Sequence, residues 1–350
     1  MASPIFLSYP PVRSSLLSLF RGIELALIGI YRSLKNPGIY RLGLLQETLI
    51  AVVVSVSLQT LLRVFLRVLI TAINKLSIFR HIESKDFRCI LEILNLNYLS
   101  VAASRYFTPY MKIYFLESLK YISIKNKSEY YKNLYSLYEK RGSSHHEDEL
   151  SSSLLSRFEH VLKNSKDFTA FYKKSLKNVL FIFLIVLICP EQSKIGNTLV
   201  IFCALQTFND KLGSIPTVCL GAILSFQKLD NSLLFLSYFW GSYEVTQDLF
   251  SVYFECIRCT RLEKTQWIRS REGLLLPFSF YCLFLINKMN WIGTIVYLLS
   301  GSCAAYILIE TTDVPPTLES KLINWSSSQI IWNHDKKQYF LDGKFIDEDF

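Results

Sequence analysis

The stretch Met289–Ile309, MNWIGTIVYLLSGSCAAYILI, runs for twenty-one residues without a charged side chain. At about 1.5 Å per residue it makes roughly 31 Å of helix, the depth of a hydrocarbon core of about 30 Å. Immediately before it, Leu274–Ile286 is a shorter apolar run, and Asn287-Lys288 breaks the two apart. The pair reads as a helical hairpin with its turn at the polar break. The composition agrees with that reading. The 350 residues are 51% apolar and only 19% charged, with a mean hydropathy of +0.26, whereas soluble domains carry about a quarter charged residues. A soluble enzyme and a secreted module are excluded on that basis. The 13 Gly and 10 Pro argue against a disordered or fibrous chain, and eight scattered Cys do not resemble a disulfide framework. Met1–Pro11 has no basic segment ahead of an apolar run, so no cleavable signal peptide is expected.

Working outward, the middle of the chain repeats the same style in shorter pieces: Val179–Cys189, Ile195–Phe208, Leu212–Phe226 and Ser232–Tyr243, punctuated by Pro190, Gly213, Pro216 and Gly221. Pieces of this length suit half-helices or re-entrant segments. They equally suit tilted helices with Glu191, Lys194, Asp210 and Lys211 near their ends. Toward the N-terminus, Leu16–Tyr31 carries Arg21 and Glu24, which favours a position in the membrane interface over a crossing. Thr48–Leu62 is uncharged, Arg63 and Arg67 follow, and the apolar run resumes through Ile73. Cys89–Ser104 is a further apolar piece, interrupted only by Glu92. The expected architecture is therefore all-α: a multi-pass helical membrane protein with interrupted short helices and hairpins and a basic amphipathic cytosolic insert. Its regions are an N-terminal tail (1–15), a membrane region (16–104), a basic helical insert (105–177) with a solvated loop at 142–153, a second membrane region (178–316) containing a basic interfacial segment at 255–273, and an acidic tail (317–350).

Charge placement gives an orientation. The insert and the cluster Arg258, Arg261, Lys264, Arg269 and Arg271 are the two strongest basic regions, so both belong on the cytosolic side, with an even number of crossings between them. The hairpin then returns the C-terminal tail to the cytosol. The net charge of +9 follows from this placement and implies no nucleic-acid partner. The expected partner is the lipid bilayer, with anionic headgroups as a further contact along basic amphipathic helices; the insert helices can equally pack on the bundle.

Few motifs carry chemistry. Cys256-Ile-Arg-Cys259 has the spacing of half a zinc site, but no second pair or nearby His completes it. His145-His146 reads as a solvated pair in an acidic loop, and no metal or other cofactor is expected. His81 and Asp86 share the spacing of membrane acyltransferases without a companion phosphate-binding block. No nucleophile elbow, HExxH helix or phosphate loop occurs, so no catalytic residue is expected and the chain reads as non-enzymatic. Arg63 and Arg67, one turn apart in an apolar segment, form with Arg105 a candidate anion or headgroup site; snorkelling at a helix end is the alternative. Trp267, Arg269, Arg271 and Glu272 form a candidate interfacial anchor, since aromatic and basic residues gather at headgroup level. Pairs such as Glu255 with Arg258 can form along the solvated side.

Four blocks carry a family resemblance. They are Phe20-Arg21-Gly22 with Gly29–Pro37 and Tyr40-Arg41; Arg105–Pro109 with Phe115–Tyr121; Tyr253-Phe254 with Lys264, Trp267 and Arg269–Gly273; and Ala305–Ile309 with Thr312–Pro316. In that order the sequence resembles the fungal transmembrane proteins called UsgS. Lys112 stands where the resemblance leads one to expect an acid. A fainter likeness links the Arg21–Asn36 and Tyr253–Gly273 regions to the CysZ-like and etoposide-induced membrane proteins. The first resemblance implies a multi-pass membrane protein with no assigned reaction; the second implies anion transport or a role in the endoplasmic-reticulum membrane. The expected function is thus a non-enzymatic membrane organiser or partner-binding protein of an internal membrane, with a small-anion transporter or channel as the rival.

Overall fold

The computed structural model describes residues 16–76, 90–106, 110–142, 194–212 and 214–330, together with 173, 177, 180, 181 and 183–185. Among them every regular element is a helix. The chain opens with α1 (Leu16–Leu34) and a 3-10 turn (Pro37–Tyr40) capped by Asn36, whose side-chain oxygen accepts from the Gly38 N–H at 2.9 Å. Then come α2 (Leu42–Leu76), α3 (Leu96–Ser104), α4 (Tyr110–Lys125) and α5 (Tyr130–Gly142). The second half contains α6 (Lys194–Leu212), α7 (Ser214–Ser225), α8 (Leu229–Leu249), α9 (Ser251–Ile257), α10 (Arg261–Ser270), α11 (Glu272–Lys288), α12 (Gly293–Thr311) and α13 (Glu319–Gln329).

The hairpin is present as α11 and α12, joined through a 3-10 turn at Asn290–Ile292. Helix α11 runs through the expected break and stops one residue after Asn287, because the Asn287 side chain is bonded inward instead of turning the chain. Helices α2 and α12 are both long and apolar enough to cross a membrane by length and composition. Their surroundings differ. Only 28% of the most apolar window of α2 is buried, against 83% for α12. The segment that most resembled a span is thus the innermost helix, enclosed by α1, α2, α3, α4 and α11; a helix apolar on all sides needs partners on all sides. Helix α2 is the outer one, 35 residues and about 52 Å long.

Helix α1 packs with an unusual economy. Its inner face is Ser18, Gly22, Ala26, Gly29 and Ser33, all buried, and its outer face is Phe20, Ile23, Leu27, Tyr31 and Leu34, all exposed. A Cβ at Gly22 would lie 2.6 Å from the Leu274 carbonyl oxygen, and one at Gly29 would lie 2.8 Å from the Cys303 side chain. Only glycine permits that approach. The same contacts fix the crossing. Gly293 abuts the Ile286 carbonyl, so nine residues back along α11 Pro277 stands level with Ser302, beside Cys303. Gly22 meets Pro277 and Gly29 meets Cys303, so α1 passes from one helix of the hairpin to the other at one level. Seven residues of helix cover about 10.5 Å, close to the usual interaxial distance of about 8–10 Å. Helix α1 therefore lies across the hairpin, not along it.

The basic insert is joined to this core. Helix α4 lies against α12 and α2, with Gly301 against Met111 and the Thr48 and Tyr114 hydroxyls bonded at 2.6 Å. Helix α5 packs on α4 and α9 with Tyr130, Leu134 and Leu137 inward. The expected interfacial segment is split by the backbone: Arg258 adopts φ 50°, ψ 43°, ending α9, and a capping box of Thr260 and Glu263 starts α10. Glu255 pairs with Lys112 at 3.0 Å and not with Arg258, because that left-handed residue interrupts the helical register the expected pair requires. His81, Asp86, His145, His146, the loop from 143 to 153 and most of 179–189 lie outside the described residues.

Candidate functional site

The most polar point inside the fold is Asp248, near the end of α8. Its two oxygens are divided between two partners: the Arg105 guanidinium at 2.9 Å and the Tyr98 hydroxyl, which donates at 2.5 Å. All three residues are largely or fully buried. Tyr98 lies in the first turn of α3 and Arg105 caps its last, so the pair latches both ends of that helix to α8. Around it, the Tyr110 and Ser104 hydroxyls bond at 2.5 Å, and Tyr297 of α12 meets the Tyr98 ring edge-on at 6.5 Å between centroids. An arginine this deep needs compensation close by, here a carboxylate, because desolvating a lone cation costs several kcal/mol, on the order given by the Born estimate after relaxation.

A second cluster is made of amides. Asn95, held at φ 51°, donates to the Ser237 hydroxyl (2.7 Å) and carbonyl (3.1 Å) of α8 and accepts from Asn287 of α11 at 2.6 Å. Asn287 also accepts from the Tyr98 N–H at 3.2 Å, and its carbonyl receives Asn97 at 2.7 Å. Gln59 and Arg63 of α2 both donate to the Asn97 side-chain oxygen, Arg63 at 3.4 Å. Lys288 pairs with the exposed Glu92 beside it at 3.0 Å. Four elements, α2, α3, α8 and α11, are joined here through amide groups.

The third cluster is centred on Arg271, 1% exposed. Its guanidinium donates to the Ser270 hydroxyl (2.8 Å) and to the carbonyls of Trp267 (3.3 Å), Thr311 (2.9 Å) and Gln329 (3.1 Å), and it lies 4.2 Å from the Trp267 ring centroid. Thr311 and Gln329 are the last residues of α12 and α13. Both helix C-termini carry partial negative charge, so the cation is stabilised by two macrodipoles and an aromatic face. Burial still depresses the Arg271 pKa, to about 10. Nearby, the Tyr130 hydroxyl bonds Thr312 at 2.6 Å and Asn133 donates to the Pro315 carbonyl at 2.8 Å, so α5 grips the strand after α12.

These placements rearrange the residues singled out in the sequence. Arg63 and Arg67 lie in the interior of α2, with nine residues of the helix still to follow Arg67. Arg63 is tied to Asn97 at the start of α3, whereas Arg105 lies at its other end, about 12 Å of helix away, bound to Asp248. The three arginines are not one site. Trp267 and Arg271 are interior residues packed with Phe250, Tyr253 and Phe254, and Glu272 is buried beside them; only Arg269 is exposed. Trp267 and Arg271 are held by protein packing, the arginine being compensated by an aromatic ring and two helix ends. Sequence reading passed over Asp248, Asn95 and Asn287. Their signal was a lone carboxylate or amide inside an apolar-rich helix, which ordinarily marks an internal partner.

Chemically, the three clusters tie helices together. Among the described residues no group of His, Cys, Asp and Glu could hold a metal ion. Cys256 is buried, and burial pushes the Cys259 thiol up to about 12, so Cys259 is not a thiolate near neutral pH. No protein-family model, curated protein or solved structure matches the chain.

Proposed function

We propose that the chain is an integral, multi-pass helical membrane protein acting as a non-enzymatic organiser or partner-binding platform in an internal membrane, the endoplasmic reticulum being the first candidate. One observation carries the membrane part: α1 turns its small residues inward and its large apolar ones outward. A soluble helix does the reverse, because water drives large apolar side chains into the core. In lipid that drive between helices is absent, so close approach through Gly, Ala and Ser decides the interface and large side chains face the acyl chains. Helix α2 likewise exposes large apolar residues, Leu45, Leu49, Val53, Leu61, Val64, Phe65 and Val68. Together these residues make an exposed apolar surface along two helices, the mark of a membrane or partner contact.

The platform reading is supported by clusters that hold helices together and by a basic layer, α4, α5 and α10, built onto the bundle. A small-anion transporter is the competing reading, and it would rest on Arg63 and Arg67, since Arg105 is engaged by Asp248. Alkaline carbonate extraction of membranes from expressing cells tests the first half: the full chain should stay in the pellet, and release into the supernatant defeats it. Chloride, sulfate and phosphate flux into liposomes carrying the purified protein tests the second. No flux supports the platform; flux lost on Arg63→Gln and Arg67→Gln overturns it in favour of transport.

A further inference from the structure

Helix α10 carries a cationic stripe that the fold does not use. Arg261, Thr265 and Arg269 recur every four residues on its outer side, Arg258 precedes them, and all four are exposed. None of the three guanidiniums is in an ion pair or hydrogen bond among the described residues. The acids that could serve them are engaged elsewhere: Glu255 on Lys112, Glu263 in the capping box, Glu272 in the interior. Arg21, Arg41, Arg105, Lys112 and Lys288, by contrast, each hold a carboxylate.

Two further features set the stripe apart from an ordinary solvated face. Leu262 projects from the same side at 75% exposure, an apolar side chain amid arginines. Arg258 adopts a left-handed backbone that disfavours any residue but glycine or asparagine. That residue closes the end of α9, where the Cys259 N–H donates back to the Phe254 carbonyl at 3.4 Å, and it holds the guanidinium at the corner that leads into α10. Position completes the case. Helix α10 passes through Arg271 directly into α11, whose first turn at Leu274 touches Gly22 of α1, two residues from Phe20 at 71% exposure. Arg269 thus lies three residues before α11 begins, where basic residues at headgroup level are expected to flank an apolar hairpin.

We infer that Arg258, Arg261 and Arg269, with Leu262 inserted between them, bind anionic phospholipid headgroups and hold α10 on the membrane surface. The inference rests on the membrane reading above and names the lipid class that this surface takes. Phosphate oxygens suit guanidinium donors, and Leu262 distinguishes a lipid surface from a soluble anion, because only a bilayer offers it an apolar destination.

The test uses the detergent-solubilised full chain equilibrated with equal parts phosphatidylcholine and phosphatidylserine, with retained lipid counted by native mass spectrometry. The parent should retain phosphatidylserine in preference, and the preference should fall by about fivefold for each arginine changed to glutamine, the effect of about one basic residue near an anionic surface. Leu262→Ser should weaken retention of both lipids, and R258K/R261K/R269K should preserve the preference. A parent that stays in the carbonate pellet but shows no preference overturns the inference alone; a parent released by carbonate overturns the membrane reading first. A glutamine triple variant that keeps the preference, or phosphatidylserine displaced by inositol hexakisphosphate with Leu262→Ser indifferent, also overturns it. If the triple variant does not fold, the three single glutamine variants and the lysine triple carry the same decision.

Discussion

Helices α1 and α5 are both amphipathic by burial, yet they are built in opposite ways. Helix α5 buries Tyr130, Leu134 and Leu137 and exposes Lys132 and Glu139, as a helix in water does. Helix α1 buries Ser18, Gly22, Ala26, Gly29 and Ser33 and exposes Phe20, Leu27 and Tyr31. One chain thus contains helices with opposite distributions of large and small residues. The difference teaches that burial alone does not identify a core. Which residue sizes are buried reveals the solvent, because water expels large apolar side chains and lipid does not.

The sharpest way to break that comparison is at the buried ion pair between the two regions. Asp248→Ala should cost about 3–5 kcal/mol by leaving Arg105 buried without its carboxylate, read as a loss of thermal stability in detergent; a variant as stable as the parent would mean that Arg105 is not desolvated. Next, Gly22→Leu drives a side chain into the Leu274 carbonyl and should destabilise by about 1–3 kcal/mol or more, as overpacking does. Limited proteolysis within α1 should then accelerate. Third, Leu27→Asp should cost about 2.5–3.5 kcal/mol if that residue meets acyl chains, lowering membrane retention, whereas Tyr135→Asp on α5 should stay within about 0.5 kcal/mol as a surface change in water. Equal effects of the two would erase the distinction between the regions. Fourth, Thr260→Ala removes the capping box of α10 and should cost about 1 kcal/mol, a small shift in Tm that leaves α1 untouched.

Much of the helical framework was readable. The charge-free run at 289–309, the shorter run before it and the polar break between them gave the hairpin, because helix length and apolar continuity are local properties. The candidate site was less readable. Arg105 was identified by its type, but Asp248 lies 143 positions away and nothing in either neighbourhood names the other. Trp267 and Arg271 look like rim residues by composition, and only the convergence of the α12 and α13 termini makes them interior.

The sequence by itself determined that this protein is helical, rich in apolar residues, and basic in two segments, since those properties follow from composition, spacing and length. Only the tertiary structure decided which faces turn inward. A helix that is apolar all round has no preferred side until a partner offers a surface for close approach. For α1 that partner is the α11–α12 hairpin, reached through Gly22 and Gly29. The tertiary structure also decided that α12, the most span-like segment, is enclosed while α2 is outermost, because enclosure depends on how many neighbours a helix gathers. And it decided which cations are engaged and which remain for a partner, because an ion pair needs a distance that no spacing along the chain supplies.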